Sequence, residues 1–194
     1  MTGKLFYLMG PSGSGKDSLL RMCRHRLADR PLMIAHRYIT REPDPDGENH
    51  VALTQQEYNN RSERGLFAME WQANGLCYGI GMEVDLWLAQ GCNVLVNGSR
   101  AYIDQAREHY GSTLVPVLVR VNQDVLMQRL LNRGRESLAD IERRILRASR
   151  FAGQVPPDTR FVDNNGELER AFRQLAGILN VEAPRTFEGM IRGA

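Results

Sequence analysis

The run Gly10-Pro11-Ser12-Gly13-Ser14-Gly15-Lys16 constrains this chain more than any other stretch. It follows five apolar residues, Leu5 to Met9, and precedes a segment whose Leu19, Leu20, Cys23 and Leu27 recur on one face of a helix expected from Lys16 to about Ala28. A buried strand, a glycine-rich loop and a helix in that order form a cradle. Backbone N–H groups and the positive end of the helix dipole can surround a phosphate there. The spacing Gly-x-x-x-x-Gly-Lys is the fixed part of a Walker A motif, with the lysine reaching the terminal phosphates of a nucleotide. Lysine is informative in this chain, because only Lys4 and Lys16 of its 25 basic residues are lysine. The bland alternative is a glycine-rich turn with an exposed lysine.

The next position breaks the pattern. Walker A loops place serine or threonine after the lysine, where its hydroxyl binds Mg²⁺. Here Asp17 follows, and only then Ser18, about a hundred degrees further round the helix. The strand Val94-Leu95-Val96, placed to carry a metal-facing acid, ends in Asn97. Two readings remain open: Asp17 is a hard oxygen ligand that takes over the metal role, or it only offsets the helix dipole.

Strand-like and helix-like segments alternate beyond the loop, as in βα units on a parallel sheet. Strands are expected at 32–35, 66–71, 94–96, 114–121 and 160–162, and helices at 82–90, 102–110, 123–132, 139–151 and 168–179. Residues 41–50, with Pro43, Pro45 and Gly47, read as loop. Thr54-Gln55-Gln56-Glu57 spells a capping box, and Asn74-Gly75 a turn. Pro116 is tolerable only near the beginning of its strand or on an edge.

At 194 residues the chain suits one compact domain, 1–183, with an aperiodic tail at 184–194 that is expected to fray. A hydrophobic share of 42% and a mean hydropathy of −0.40 fit a globular protein. No run approaches the ~18 apolar residues of a membrane span. Leu5 to Met9 is too short for a signal-peptide core. Cys23, Cys77 and Cys92 are scattered without zinc-site or disulfide spacing, so a reducing, cytoplasmic setting is expected. A net charge of +2 argues against a nucleic-acid-coating protein. Seven arginines against three acids nevertheless fall between Arg129 and Arg150, and a solvated helix face or an RNA-binding face is the rival reading of that segment.

Gly10–Lys16, Thr40-Arg41 with Pro43 and Gly47-Glu48, Glu70-Trp71 with Gly75 and Tyr78-Gly79, and Arg133-Gly134-Arg135 with Arg144 together resemble the guanylate kinase group of P-loop kinases. The resemblance runs to about Leu179. It implies an α/β fold: a three-layer α/β/α core around a parallel sheet, an acceptor-binding insertion at about 37–81 and an arginine-rich lid at about 133–140. It implies ATP and Mg²⁺ as cofactors. Gly10, Pro11, Ser12, Gly13, Ser14, Gly15, Lys16, Asp17, Ser18 and Arg133 are the implied nucleotide-binding residues, and Asp17 is the metal candidate.

The departures shift the substrate. Guanylate kinases carry a second phosphate-binding arginine where this chain has Asp44-Pro45-Asp46, and a guanine-reading aspartate where it has Val96-Asn97-Gly98-Ser99-Arg100. A guanine edge loses its acceptor there, which costs about 10⁴-fold or more in discrimination where a site depends on it. These departures, with Asp17-Ser18, Ala35 to Arg41 and Glu48-Asn49-His50, resemble the ribose 1,5-bisphosphate phosphokinases of bacterial phosphonate catabolism. The implied partner is a small phosphorylated sugar, with no nucleic acid or membrane, and the oligomeric state is not indicated.

An acceptor with two phosphates calls for bidentate cationic clamps. Arg37, Arg41 and Arg100 are the acceptor candidates. Glu70 would bind sugar hydroxyls or orient an arginine, and Tyr78 would bond a phosphate or serve the core. Lys16, Arg135 and Arg144 are the catalytic candidates. A phosphate oxygen already ionised at neutral pH needs no general base as nucleophile. His36 and His50 read as structural or substrate-bonding residues rather than a metal pair. The activity of a guanylate kinase or another nucleoside monophosphate kinase and a catalytically dead binding module are the competing functions.

Overall fold

Leu5–Met9 (β1) is apolar at every position because it is the middle strand of a five-stranded parallel sheet, buried on both faces. A computed structural model of the chain describes residues 3–43, 48–133, 141–143, 145–146 and 155–180, with Arg133 by its backbone alone. With β2 (Leu32–Ile34), β7 (Asn93–Asn97), β8 (Leu114–Arg120) and β9 (Arg160–Asp163), the order across the sheet is β2-β7-β1-β8-β9.

The two-residue alternation of β1 sorts its side chains into two layers. Phe6 and Leu8 pack with Leu19, Leu20 and Cys23 of α1 (Lys16–Arg26) and with Phe172 and Leu175 of the last helix, α6 (Leu168–Ile178). Leu5, Tyr7 and Met9 pack with Val84 and Leu88 of α3 (Glu83–Ala89) and with Ile103 and Ala106 of α4 (Ile103–Tyr110). The result is an α/β/α sandwich, in which each fully buried Leu, Ile or Phe contributes about 1.5–3 kcal/mol. Leu126 and Leu130 of α5 (Gln123–Arg133) pack separately against Ile141 and Ile145, which are themselves helical. Pro116 pairs with Tyr7 on the β1 side, but β9 joins β8 only from Val117 onward, so the proline stands where one side of the strand is open.

A second sheet lies between Arg37 and Gly81. It comprises β3 (Arg37–Ile39), β4 (Val51–Ala52), β5 (Phe67–Ala73) and β6 (Leu76–Gly81), ordered β4-β3-β6-β5. The pairs β3–β6 and β6–β5 are antiparallel, and β3–β4 is parallel. Asn74 and Gly75, at φ 51° and 74°, close the β5–β6 hairpin. The expected capping box is present on α2 (Gln55–Glu63): Thr54 Oγ1 accepts from the Glu57 N–H at 3.1 Å while the Glu57 carboxylate accepts from the Thr54 N–H.

Only β5 of this sheet is expected from the sequence. β3 and β4 are too short to show a period, and Gly79 and Gly81 lower the strand propensity of β6. Gly79 is required by packing, since a Cβ there would stand 2.5 Å from the Phe67 ring. The expected lid at about 133–140, apart from the backbone of Arg133, most of the expected helix at 139–151 and the tail at 184–194 lie outside the described residues.

Candidate active site

The loop from Gly10 to Gly15 joins β1 to α1 at the carboxyl end of the parallel sheet. Gly13 and Gly15 take φ of 87° and 90°, a region that favours glycine. Space forbids a side chain as well: a Cβ on Gly13 would meet Leu126 and Leu130 at 2.9 and 3.0 Å, and one on Gly15 would lie 2.3 Å from Asn164 Nδ2. Asn164 is buried between β9 and α6 and donates from Nδ2 to the Ser14 carbonyl at 2.7 Å. Its own N–H donates to the Arg120 carbonyl at 3.0 Å, so the loop is tied to the end of β8.

Lys16 Nζ donates to the carbonyls of Gly10 and Pro11 at 2.8 and 3.0 Å. Burial pushes its ammonium down to about 8, with the Asp17 carboxylate opposing that shift and the Arg37 and Arg100 guanidinium groups adding to it. An ammonium folded onto its own loop supplies a positive charge beside a cradle in which Gly10, Gly13 and Gly15 carry no Cβ, which suits a nucleotide phosphate.

Arg37, on β3, forms a two-pronged ion pair with the Glu48 carboxylate; the Nε–Oε1 arm measures 2.6 Å. Burial would raise the Glu48 pKa, but the Arg37 guanidinium and the Asn97 amide hold it below the usual carboxylate range. Asn97, the last residue of β7, donates from one Nδ2 to Glu48 Oε1 at 3.0 Å and to Asp17 Oδ1 at 3.3 Å. The position where a strand acid is missing thus gathers two carboxylates from elsewhere. The buried Asn97 Oδ1 has no partner. Two carboxylate groups and an unused amide oxygen form a donor set suited to a hard divalent cation. Gly15, at the N-terminal cap of α1, gives no side-chain cap, and Asp17 accepts from Asn97.

Arg37 also lies over the Tyr78 ring at 5.0 Å, and Tyr78 stacks on Trp71 with ring centres 5.6 Å apart. Tyr78 is buried, and its carbonyl accepts from the Tyr58 hydroxyl at 3.1 Å, which also donates to Glu70 Oε2 at 3.2 Å. Arg41 is exposed and approaches His50, whose Nε2 bonds the Arg41 carbonyl at 3.1 Å; His36 meets Asn49. Arg100 opens the short helix after β7, and burial holds its guanidinium below the usual range. The Tyr7 hydroxyl donates to the Ser99 carbonyl at 3.0 Å and accepts from its N–H at 2.9 Å, fixing the turn that leads to Arg100.

Lys16, Asp17, Arg37 and Arg100 are therefore close enough to interact, while Glu70 and Tyr78 occupy the second sheet. Pro11, Ser12 and Ser18 remain on the loop and the first turn of α1. Arg135, Arg144 and the side chain of Arg133 lie outside the described residues. Glu48, Asn97, Asn164 and Tyr7 join the site without being singled out as candidates by sequence. Glu48 carried a signal as half of the Gly47-Glu48 pair, and Asn97 as the residue that ends the strand where an acid is missing.

The parallel sheet, the loop and the helix at its carboxyl end define a guanylate-kinase-like P-loop kinase fold. The guanylate kinase of Anaplasma phagocytophilum matches 95% of this chain and 88% of its own with a TM-score of 0.67 at 15% identity. No protein-family model matches the chain. Among curated proteins, the chain is 52% identical over 182 residues to ribose 1,5-bisphosphate phosphokinase PhnN of Psychromonas ingrahamii, covering 93% of this chain and 92% of that one. It is 51% identical over 181 residues to the protein of the same name from Thiobacillus denitrificans, covering 92% and 93%. The chain belongs to the ribose 1,5-bisphosphate phosphokinase family.

Proposed function

We propose that the chain transfers the γ-phosphoryl group of ATP to the C1 phosphate of ribose 1,5-bisphosphate, giving ADP and 5-phospho-α-D-ribosyl 1-diphosphate, in the cytoplasm and in phosphonate catabolism. The observation that carries this reading is the near-full-length identity to phosphokinases named for that acceptor. The site chemistry agrees with it. An oxygen of the C1 phosphate attacks the γ-phosphorus as the bond to the β-phosphate oxygen breaks, so no proton has to be removed. The work left to the protein is alignment and neutralisation of charge.

In this reading the Gly10–Gly15 loop holds the donor phosphates, and Lys16 turns from the loop carbonyls onto the transferring group. Arg37, Arg41 and Arg100 take the acceptor phosphates, and the sheet between Arg37 and Gly81 forms the acceptor-binding insertion. Arg133, Arg135 and Arg144 supply further positive charge from the lid. A Mg²⁺ ion held through Asp17 would offset charge on the transferring group.

The test is incubation with ATP, Mg²⁺ and, separately, ribose 1,5-bisphosphate, GMP, AMP or gluconate, with products identified by phosphorus NMR. Ribose 1,5-bisphosphate is expected to exceed GMP by far in kcat/KM, with a new diphosphate signal on C1. Comparable or better turnover of GMP reverses the assignment.

A further inference from the structure

Asn97 is only 1% exposed, and its amide is wedged between the Asp17 and Glu48 carboxylates while its own Oδ1 stays buried and unpartnered. An unused buried acceptor costs ~1–3 kcal/mol, so the arrangement calls for an explanation. A half turn of the amide exchanges Nδ2 for Oδ1 between the carboxylates; it gives up the two bonds donated by Nδ2 and none to the oxygen. In the first orientation the amide NH2 donates to both carboxylates and bridges them. In the second it adds a neutral oxygen to them, and a cation must then hold the carboxylates together.

Magnesium suits such a place. It takes oxygen ligands, commonly uses one or two carboxylates with substrate phosphates, and keeps several waters. Among the described residues no three His, Cys, Asp or Glu gather into a metal site, so the remaining ligands of a cation here would have to come from a nucleotide and water. The site adjoins the phosphate loop through Asp17, which directly follows Lys16. Glu48 is meanwhile engaged by Arg37 in a largely buried pair, with 8% and 15% of the two side chains exposed. A cation and Arg37 therefore compete for one carboxylate.

Resting on the phosphotransfer reading above, we propose that Asp17, Glu48 and Oδ1 of a rotated Asn97 form the protein half of the divalent-cation site. Cation binding there draws Glu48 from Arg37 and frees that guanidinium for the acceptor phosphate. Donor loading and acceptor capture become linked through one glutamate.

The probe is Mn²⁺, titrated by electron paramagnetic resonance into the protein bound to a non-hydrolysable ATP analogue. Asp17→Asn and Glu48→Gln are each expected to weaken Mn²⁺ binding about tenfold or more, the scale of loss when a metal-site partner is removed. Arg37→Gln is expected to bind Mn²⁺ at least as tightly as wild type, because the competitor for Glu48 is gone. Wild-type affinity in Glu48→Gln overturns the proposal, as does a loss in Arg37→Gln matching that in Glu48→Gln, since Glu48 would then act only by holding Arg37. If Glu48→Gln does not fold by circular dichroism, Asp17→Asn and Arg37→Gln still give opposite expectations. Failure of the phosphotransfer reading shows separately, as absence of the diphosphate product from wild type.

Discussion

Lys16 must be both buried and charged, and those demands conflict. Its ammonium in the folded chain titrates near 8, below its ordinary 10.5. Between those values the unfolded chain holds the extra proton, so stability rises with pH; below about 8 both states are charged and the whole cost of burial is present. Lys16→Met is therefore expected to abolish phosphoryl transfer and yet to stabilise the nucleotide-free protein at pH 7 by about 1–3 kcal/mol, discounted for residual solvent contact. The gain should shrink by pH 10. Thermal unfolding of both proteins at the two pH values checks this, and a mutant less stable at pH 7 contradicts it. Lys16 was legible in the sequence because the six residues before it, Gly10 to Gly15, fix its role. Glu48 stood out only as part of a motif and its role was not legible, because its partners Arg37 and Asn97 are 11 and 49 positions away and meet it only once β3 and β7 have formed.

Helix α2 carries its effect by contact rather than by chemistry of its own. Its Thr54 cap holds the first turn, and one turn on Tyr58 donates to Glu70 and to the Tyr78 carbonyl. Thr54→Ala is expected to lower stability by about 1 kcal/mol. It should raise KM for the acceptor and leave KM for ATP unchanged, which steady-state kinetics with each substrate varied in turn will show. Equal changes in both KM values would place α2 outside the acceptor side. This helix start, the Asn74-Gly75 turn and the long core elements were readable because their signals are local or periodic. The second sheet was largely unreadable because β3 and β4 have only three and two residues and depend on β6 for pairing.

At the scale of the molecule, the two sheets divide the labour. The parallel sheet presents the phosphate loop, Asn97 and Arg100 from its carboxyl end, while the second sheet contributes Arg37, Glu70 and Tyr78. The boundary between core and site runs through Tyr7, which lies fully buried in the sandwich and whose hydroxyl holds the Ser99 backbone. A Cβ on Gly98 would stand 2.2 Å from the Tyr7 ring, so any larger residue at 98 must displace a core aromatic. Gly98→Asp alone is expected to unfold at lower temperature by several degrees, a shift corresponding to at least ~1 kcal/mol. Pairing it with Tyr7→Ala should recover part of that loss, and a double mutant no more stable than Gly98→Asp would refute the clash. An evolutionary path from this chain toward a base-reading kinase that places an acid at 98 therefore cannot proceed one harmless substitution at a time. The first step on either side, at 7 or at 98, is penalised until the other is taken, and that epistasis would hold the lineage to its sugar.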